Sequence, residues 1–351
     1  MVYFILLGAI LSYVAIVRYY RYQYVNKLKH IYPDPDIILK NGKIAQEIYC
    51  QTFRKEFPLI SRESIEVALF KTFTVPTVSK ILVGTREFEK APLRRAEDTE
   101  LILSEIIDVY PRIQNQLLAN QVVTPKETAK QYERAEISIQ RLNELHGKYP
   151  ILNDDYIFTI ALFVDEPIRW INAFEWRSLD IREINAFFKV WYDIGLKMNI
   201  KNLPDTYEGL MKFRKEYEQR AVCYSPSNWK VAQPTLHLLY SRLPSFMKPV
   251  IRNALPCLLE EIDRKSFGIE EPNWIMNYGV RSILRLRANF IRYFLLPRRH
   301  YWTRTPWQPN KNGKYMPTFC IYGTVYPDGY QISELGPAKF TPLYKKCPVM
   351  H

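Results

Sequence analysis

The fold is decided by residues 141–177, RLNELHGKYPILNDDYIFTIALFVDEPIRWINAFEWR. Proline has no backbone N–H and cannot continue a helix, so Pro150 predicts the end of a first helical arm. Asn153 or Asp154 is predicted to cap a second arm, because short polar side chains accept from free backbone N–H groups. The run Tyr156–Val164, YIFTIALFV, is apolar on every side, which predicts that the second arm is central and buried.

The second arm meets a short interruption at Asp165–Glu166–Pro167. Proline fits best in the first turn of a helix, so this pattern predicts a renewed helix with Asp165 as its N-cap. Arg169 and Glu175 follow in the renewed helix, next to tryptophans that suit a pocket wall. These two charged residues are therefore candidate site residues.

The first arm ends in the one histidine of the chain that lies in an ordered helical pattern, His146. At 3.6 residues per turn its imidazole is predicted to point into the core. The apolar face that it shares is formed by Ala135, Ile139, Leu142 and Tyr149. Such a histidine is either a hydrogen-bonded core residue or a ligand, and the residues alone leave both interpretations open.

Helical periodicity recurs along the chain, whereas strand-like alternation is scarce, so we predict an all-α fold. With 351 residues, 47% of them hydrophobic, the chain is long enough to bury one large core. We expect a transmembrane anchor at residues 1–18 and a basic, aromatic juxtamembrane segment with a linker at 19–41. A single large helical domain is expected at 42–270, followed by a basic amphipathic helix and an irregular C-terminal extension at 271–351.

The anchor is predicted from Met1–Val17, MVYFILLGAILSYVAIV, which contains no charged side chain. Its length is at the short end for a bilayer, which needs about 17–25 apolar residues. A cleaved signal peptide would carry its positive charges before the apolar run, whereas here arginine, lysine and tyrosine follow it. This order favours a retained, single-pass anchor with the bulk of the chain on the cytosolic side.

The net charge of +13 favours an anionic partner. Val280–Leu296 predicts a basic amphipathic helix, with arginines on one face, aliphatic and aromatic residues on the other, and Arg287 in need of a buried partner. Two interpretations stay open: a helix lying in an anionic membrane interface, or a core-packing helix with a basic outer face. No nucleic-acid partner is expected, because no known binding motif accompanies the charge.

Several classes of site have no support in the sequence. It contains no GxGxxG, GxxxxGK[ST], GxSxG or HExxH pattern. Its five cysteines are scattered without a CxxC pair, which argues against a disulfide framework and a zinc site. What remains for redox chemistry is histidine ligation within a helical core.

Three blocks of the chain resemble a known family: Ala68–Phe88 (ALFKTFTVPTVSKILVGTREF), the stretch from RLNELHGKY through FEWR, and Gly329–Pro337 (GYQISELGP). They are similar to the fungal ER-bound oxygenases typified by MpaB, in the broad superfamily of the rubber oxygenases. The resemblance implies an oxygenase of the endoplasmic reticulum membrane that uses dioxygen to cleave a C=C bond in an apolar, isoprenoid-like substrate.

The resemblance also implies a site. It suggests haem b held by His146, with Arg141, Arg169 and Glu175 positioning polar groups or bound oxygen. In the bacterial enzymes the axial histidine falls nearer the second hairpin helix, and YIFTIALFV contains none. Either His146 takes over as the ligand, or the cofactor differs, or the protein binds no haem. The alternative function is a non-catalytic, membrane-associated helical protein that binds lipid.

Overall fold

The computed structural model describes residues 1–241, 244–321 and 323–341. Within these ranges the chain is helical and forms no β-strand, which confirms the predicted all-α fold. The sixteen α-helices of the described ranges are α1 (Val2–Ile31), α2 (Ile37–Lys40), α3 (Gly42–Gln51), α4 (Pro58–Thr72), α5 (Pro76–Thr85), α6 (Glu87–Lys90), α7 (Pro92–Ile107), α8 (Val109–Leu118), α9 (Pro125–His146), α10 (Asn153–Phe174), α11 (Ile181–Lys197), α12 (Tyr207–Ala221), α13 (Pro226–Ser241), α14 (Lys248–Ala254), α15 (Glu261–Phe267) and α16 (Trp274–Phe294).

The two predicted arms are α9 and α10. α9 packs mainly against α7, α8 and the short turn Ile332–Glu334, so the two arms do not pack along each other as a hairpin. Thr124 and Glu127 close a capping box that begins α9, and α9 ends at His146. α10 packs against α4, α11 and α12. Leu162 and Val164, in its middle, are completely buried. The apolar run of the second arm is therefore the centre of the core, as its composition predicts.

The predicted break at Asp165–Glu166–Pro167 is wrong, because α10 continues through Pro167 to Phe174. Proline removes one backbone hydrogen bond of the helix, at a cost of about 3 kcal/mol. Burial of the flanking residues and ion pairs from both carboxylates offset that cost: Asp165 pairs with Arg214, and Glu166 with Lys71. Asp165 therefore links α10 to Arg214 of α12 and does not cap a helix.

The predicted cap of α10 is also wrong. Leu152 occupies the N-cap position and makes no side-chain cap hydrogen bond. The side chain of Asn153 instead donates to the carbonyl oxygen of Lys201 and accepts from its N–H, both at 2.8 Å. Asn153 thus ties the start of α10 to the turn after α11.

The apolar N-terminal run and the aromatic segment after it form one continuous helix, α1, which ends at Ile31. α1 is long and apolar enough to cross a membrane. Its C-terminal half enters the domain, where Val17, Arg21, Val25 and Leu28 are buried. The segment from Tyr32 then breaks the helix before α2, as its two prolines predict.

The chain after α16 is irregular but packs closely on the helices. Arg304 is completely buried and pairs with Glu97 of α7. Tyr330 is completely buried and donates to Glu105 of the same helix at 2.6 Å. The C-terminal segment is therefore an integral wall of the helical domain.

Candidate functional site

His146 lies at the last position of α9, with its ring partly accessible and its Nδ1 inaccessible to solvent. Among the residues described, no hydrogen-bond partner reaches this Nδ1. Burial, together with the positive charge of Arg95, lowers the pKa of His146 to about 4. The imidazole is therefore neutral at physiological pH and keeps a lone pair for a ligand.

A pocket of about 270 Å³ opens beside the His146 ring, between the end of α9 and the start of α10. The ring of Tyr156 lies 5.6 Å from the imidazole, centroid to centroid. The other lining residues are Asn143, Gly147, Ile151, Asn153, Met198, Asn199 and Ile200. The pocket thus combines apolar walls with amide groups, of which Asn143 and Asn153 already donate to the carbonyl oxygens of Lys197 and Lys201.

Two further polar groups lie close to His146 and were not singled out by the sequence. The guanidinium of Arg95 donates to Thr99 at 3.0 Å and lies 5.9 Å from the ring centre of Phe88. The hydroxyl of Tyr149 is buried, and no partner is found for it in the described part of the chain. A half-buried cation and two polar atoms without a partner among the described residues therefore lie near the end of α9. Arg95 lies in the first turn of α7, and nothing in the pattern of that helix relates it to His146.

The C-terminal segment closes this region from one side. Gly336 has φ +109°, and a Cβ built on it would lie 2.7 Å from Leu145 Cδ1, so only glycine fits against α9. Phe340 packs near Tyr149, with 6.3 Å between ring centroids. Two of the blocks that carry the family resemblance therefore meet at the end of α9: residues 141–177 and Gly329–Pro337.

Arg141 is buried and holds the C-terminal segment in place. Its guanidinium donates to the carbonyl oxygens of Leu335 and Phe340, both at 2.9 Å, and to Glu144 at 2.7 Å. These bonds tie α9 to the C-terminal segment. None of the three partners lines the pocket beside His146.

Arg169 and Glu175 lie among other partners. Arg169 pairs with Glu260 and, at 3.7 Å, with Glu166. Glu175 pairs with Arg287 at 3.1 Å, which gives Arg287 the buried partner that its position requires. Burial raises the pKa of Glu175, and Arg287 opposes that shift. The hydrogen bonds and ion pairs of these two residues include none with the residues around His146.

Glu166 belongs to a buried ion cluster, which we call the Lys71 cluster. Lys71 Nζ lies 2.7 Å from Glu166 Oε1 and 3.1 Å from Asp263 Oδ2, and it also pairs with Glu260. Burial raises the pKa of Asp263 to about 6 although Lys71 opposes the shift. Burial also acts on Glu260, but Lys71 and Arg169 outweigh it and lower its pKa to about 2. The cluster joins α4, α10, α12 and α15 by opposite charges.

Another buried carboxylate, that of Glu56, lies in a π-helical turn, Thr52–Glu56, between α3 and α4. Burial raises the pKa of Glu56 to about 7, although Arg177, 3.8 Å away, opposes the shift. Arg177 itself makes two hydrogen bonds to Glu183, at 2.6 and 2.8 Å. The sequence predicts an ordinary helix here, because one extra residue in a turn leaves no mark on its periodicity.

The described residues contain no group of three or more histidine, cysteine, aspartate or glutamate side chains that could hold a metal ion. A site with one protein ligand suits haem, because the porphyrin itself supplies four nitrogen ligands to the iron. The donor therefore fits: His146 is neutral, and its Nδ1 has no other partner. The present pocket does not hold a haem: about 270 Å³ is below the roughly 300–1,000 Å³ of drug-sized sites, and Nδ1 is closed to solvent, so haem binding would require this region to open.

Sequence comparison finds similarity to a group of oxygenases, although no family model matches the chain. The ER-bound oxygenase MpaB′ of Penicillium brevicompactum is 25% identical over 96% of this chain and 88% of its own length. The ER-bound oxygenase MpaB of Penicillium roqueforti is 27% identical over 69% of this chain and 82% of its own length. MpaB of Penicillium brevicompactum is 25% identical over 84% of this chain and 69% of its own length. Similarity to three ER-bound oxygenases, over most of the chain, supports an oxidoreductase.

Proposed function

We propose that this protein is an oxygenase of the endoplasmic reticulum membrane that cleaves a C=C bond in an apolar, isoprenoid-like substrate. In this proposal His146 is the protein ligand of haem b, which supplies the binding and activation of dioxygen. The observation that carries the proposal is the buried Nδ1 of His146, which is neutral and unpartnered among the described residues. The similarity to three proteins named as ER-bound oxygenases supports the reaction class.

The residues around His146 have distinct roles in this proposal. Arg95 offers a half-buried positive charge to an anionic group of the bound cofactor or substrate. Tyr149 offers a hydroxyl that can donate or accept one hydrogen bond. Tyr156, Met198 and Ile200 supply apolar surface for a hydrocarbon chain. The C-terminal segment packs against the end of α9 through Gly336 and Leu145.

We assign Arg141 as a positioning residue in this site, because its hydrogen bonds fix the backbone at Leu335 and Phe340. Arg169 and Glu175 have ion-pair partners outside the His146 region. We therefore propose no contact between these two residues and the reacting atoms. Arg169 would stabilise the Lys71 cluster, and Glu175 would hold α16 through Arg287.

The membrane part of the proposal rests on α1. An apolar helix at the N-terminus would keep the domain beside the bilayer, into which an isoprenoid-like substrate partitions. Arginine and lysine follow the apolar run, so the positive-inside rule places the domain in the cytosol with a single span. The names of the relatives support the endoplasmic reticulum.

The proposal predicts a coloured protein. Full-length protein purified in mild detergent should show a Soret band, and it should consume dioxygen while it converts an unsaturated isoprenoid such as squalene into carbonyl products. Heat-denatured protein is the control for free haem. A colourless preparation, free of iron and inactive toward dioxygen, would instead favour the alternative of a non-catalytic lipid-binding protein.

A further inference from the structure

One side of α16 is apolar and lies open to solvent. Ile283, Leu286, Phe290 and Phe294 share this side, and they are 44–68% exposed. The buried residues of α16 are Ala288 and Ile291, which lie on the other side of the helix. The apolar side therefore contributes little to the core. A contiguous exposed apolar face marks a site of interaction with a protein or a membrane.

The end of α16 is bonded to the helix that is predicted to enter the membrane. Tyr13 Oη donates to the carbonyl oxygen of Phe294 at 2.9 Å. Arg21 Nε donates to the carbonyl oxygen of Leu295 at 2.6 Å, and its Nη2 donates to that of Leu296 at 3.2 Å. The exposed apolar side is thus continuous with α1.

The position of Tyr13 sets the depth of this contact. Arg18 is the first charged side chain of α1. Tyr13 lies roughly 7.5 Å from it along the helix axis, toward the N-terminus and within the apolar run. The run before Arg18 spans roughly 25 Å, which is no more than the hydrocarbon thickness of a bilayer, about 30 Å. All of that run is needed for the crossing. The carbonyl of Phe294 therefore lies near the boundary between headgroups and acyl chains, and not above it in water.

The charge around the apolar side suits an anionic membrane surface. Arg281, Arg285 and Arg292 form a second strip along α16, and Arg298 and Arg299 follow its end. From Pro272 to Pro327 the sequence contains no acidic residue. A basic face opposite an apolar face is the pattern of helices that lie in the interfacial plane of a bilayer.

We propose that α16 is a second membrane contact of this protein. Its apolar side inserts at the headgroup–acyl boundary of the leaflet from which α1 emerges, and its arginines bind anionic lipid headgroups. Two contacts fix the tilt and rotation of the domain on the membrane, which one helix alone does not. The inference rests on α1 crossing the bilayer and is independent of the cofactor at His146.

Photo-crosslinking in the full-length protein tests the proposal. Phe290→p-benzoylphenylalanine is reconstituted in phosphatidylcholine vesicles that contain labelled phosphatidylserine. The matched control is Tyr224→p-benzoylphenylalanine, an aromatic position that is 63% exposed and lies outside α16. We expect lipid adducts at position 290 well above those at position 224, with phosphatidylserine enriched over its share of the vesicle. Adding Arg281→Gln and Arg285→Gln should reduce the enrichment toward the phosphatidylserine share of the vesicle.

Three results would overturn the proposal. Adducts at position 290 to a second copy of the chain would assign the apolar side to a dimer. Lipid adducts no more abundant than those at position 224 would show that α16 lies outside the bilayer. Lipid adducts without phosphatidylserine enrichment would show that the arginines do not bind anionic headgroups.

Discussion

Leu162→Asp is expected to prevent folding of the domain. Leu162 lies in the middle of α10 and is completely buried. Burial of a carboxylate without a partner costs several kcal/mol, and the lost leucine contacts add about 2–5 kcal/mol. The sum is comparable with the entire stability of a typical domain, about 5–15 kcal/mol. Circular dichroism of the purified variant should show no cooperative melting transition.

Leu152→Asp is the matched control, because it places the same side chain at the N-cap of the same helix. Leu152 is 52% exposed and makes no cap hydrogen bond. Aspartate there can accept from free N–H groups, so we expect a gain of about 1 kcal/mol or no loss. A Leu162→Asp variant that melts as cooperatively as Leu152→Asp would show that α10 is not the centre of the core.

Lys71→Met is expected to destabilise the fold by about 3–5 kcal/mol, the cost of removing one partner from a buried ion pair. Glu166 and Asp263 would remain buried without this cation. The pKa of Asp263 is already raised to about 6, and the loss of Lys71 would raise it further. A carboxyl group whose pKa is higher in the folded state binds protons on folding, so stability falls as pH rises. The deficit of the variant, measured by urea denaturation, should therefore be smaller at pH 5 than at pH 8.

Lys265→Met is the control for the loss of a lysine. Lys265 pairs with Glu261 on the same short helix that carries Asp263, but its side chain is 75% exposed. An exposed pair of this kind is screened by water and contributes little to stability. Equal urea midpoints for Lys71→Met and Lys265→Met would contradict a structural role of the Lys71 cluster.

The helical core could be predicted because its signals are local. The apolar run of α10 is visible in nine consecutive residues. A single residue, Pro150, predicts that α9 ends before it. The continuity of α10 through Pro167 could not be predicted in the same way. It depends on Lys71 and Arg214, which come from helices that lie far away in the sequence.

The site could be predicted only in part. Helical periodicity identified His146 on the apolar face of α9, and the structure leaves its Nδ1 buried and unpartnered among the described residues. Tertiary packing brings Arg95 and the C-terminal segment to the end of α9, and no local pattern in the sequence reveals it. The same holds for Arg141, whose partners are backbone carbonyl groups that no residue pattern reveals.

The most direct test of the account is the cofactor content of the protein with and without the His146 imidazole. Haem and iron per chain are measured in the wild type, His146→Ala and His146→Gln, with melting curves for each. Glutamine can keep a hydrogen bond in the core but is a poor iron ligand. We expect both variants to melt cooperatively and to lose the cofactor, together with the Soret band. Equal occupancy in all three proteins would eliminate His146 as the ligand and contradict the proposed site.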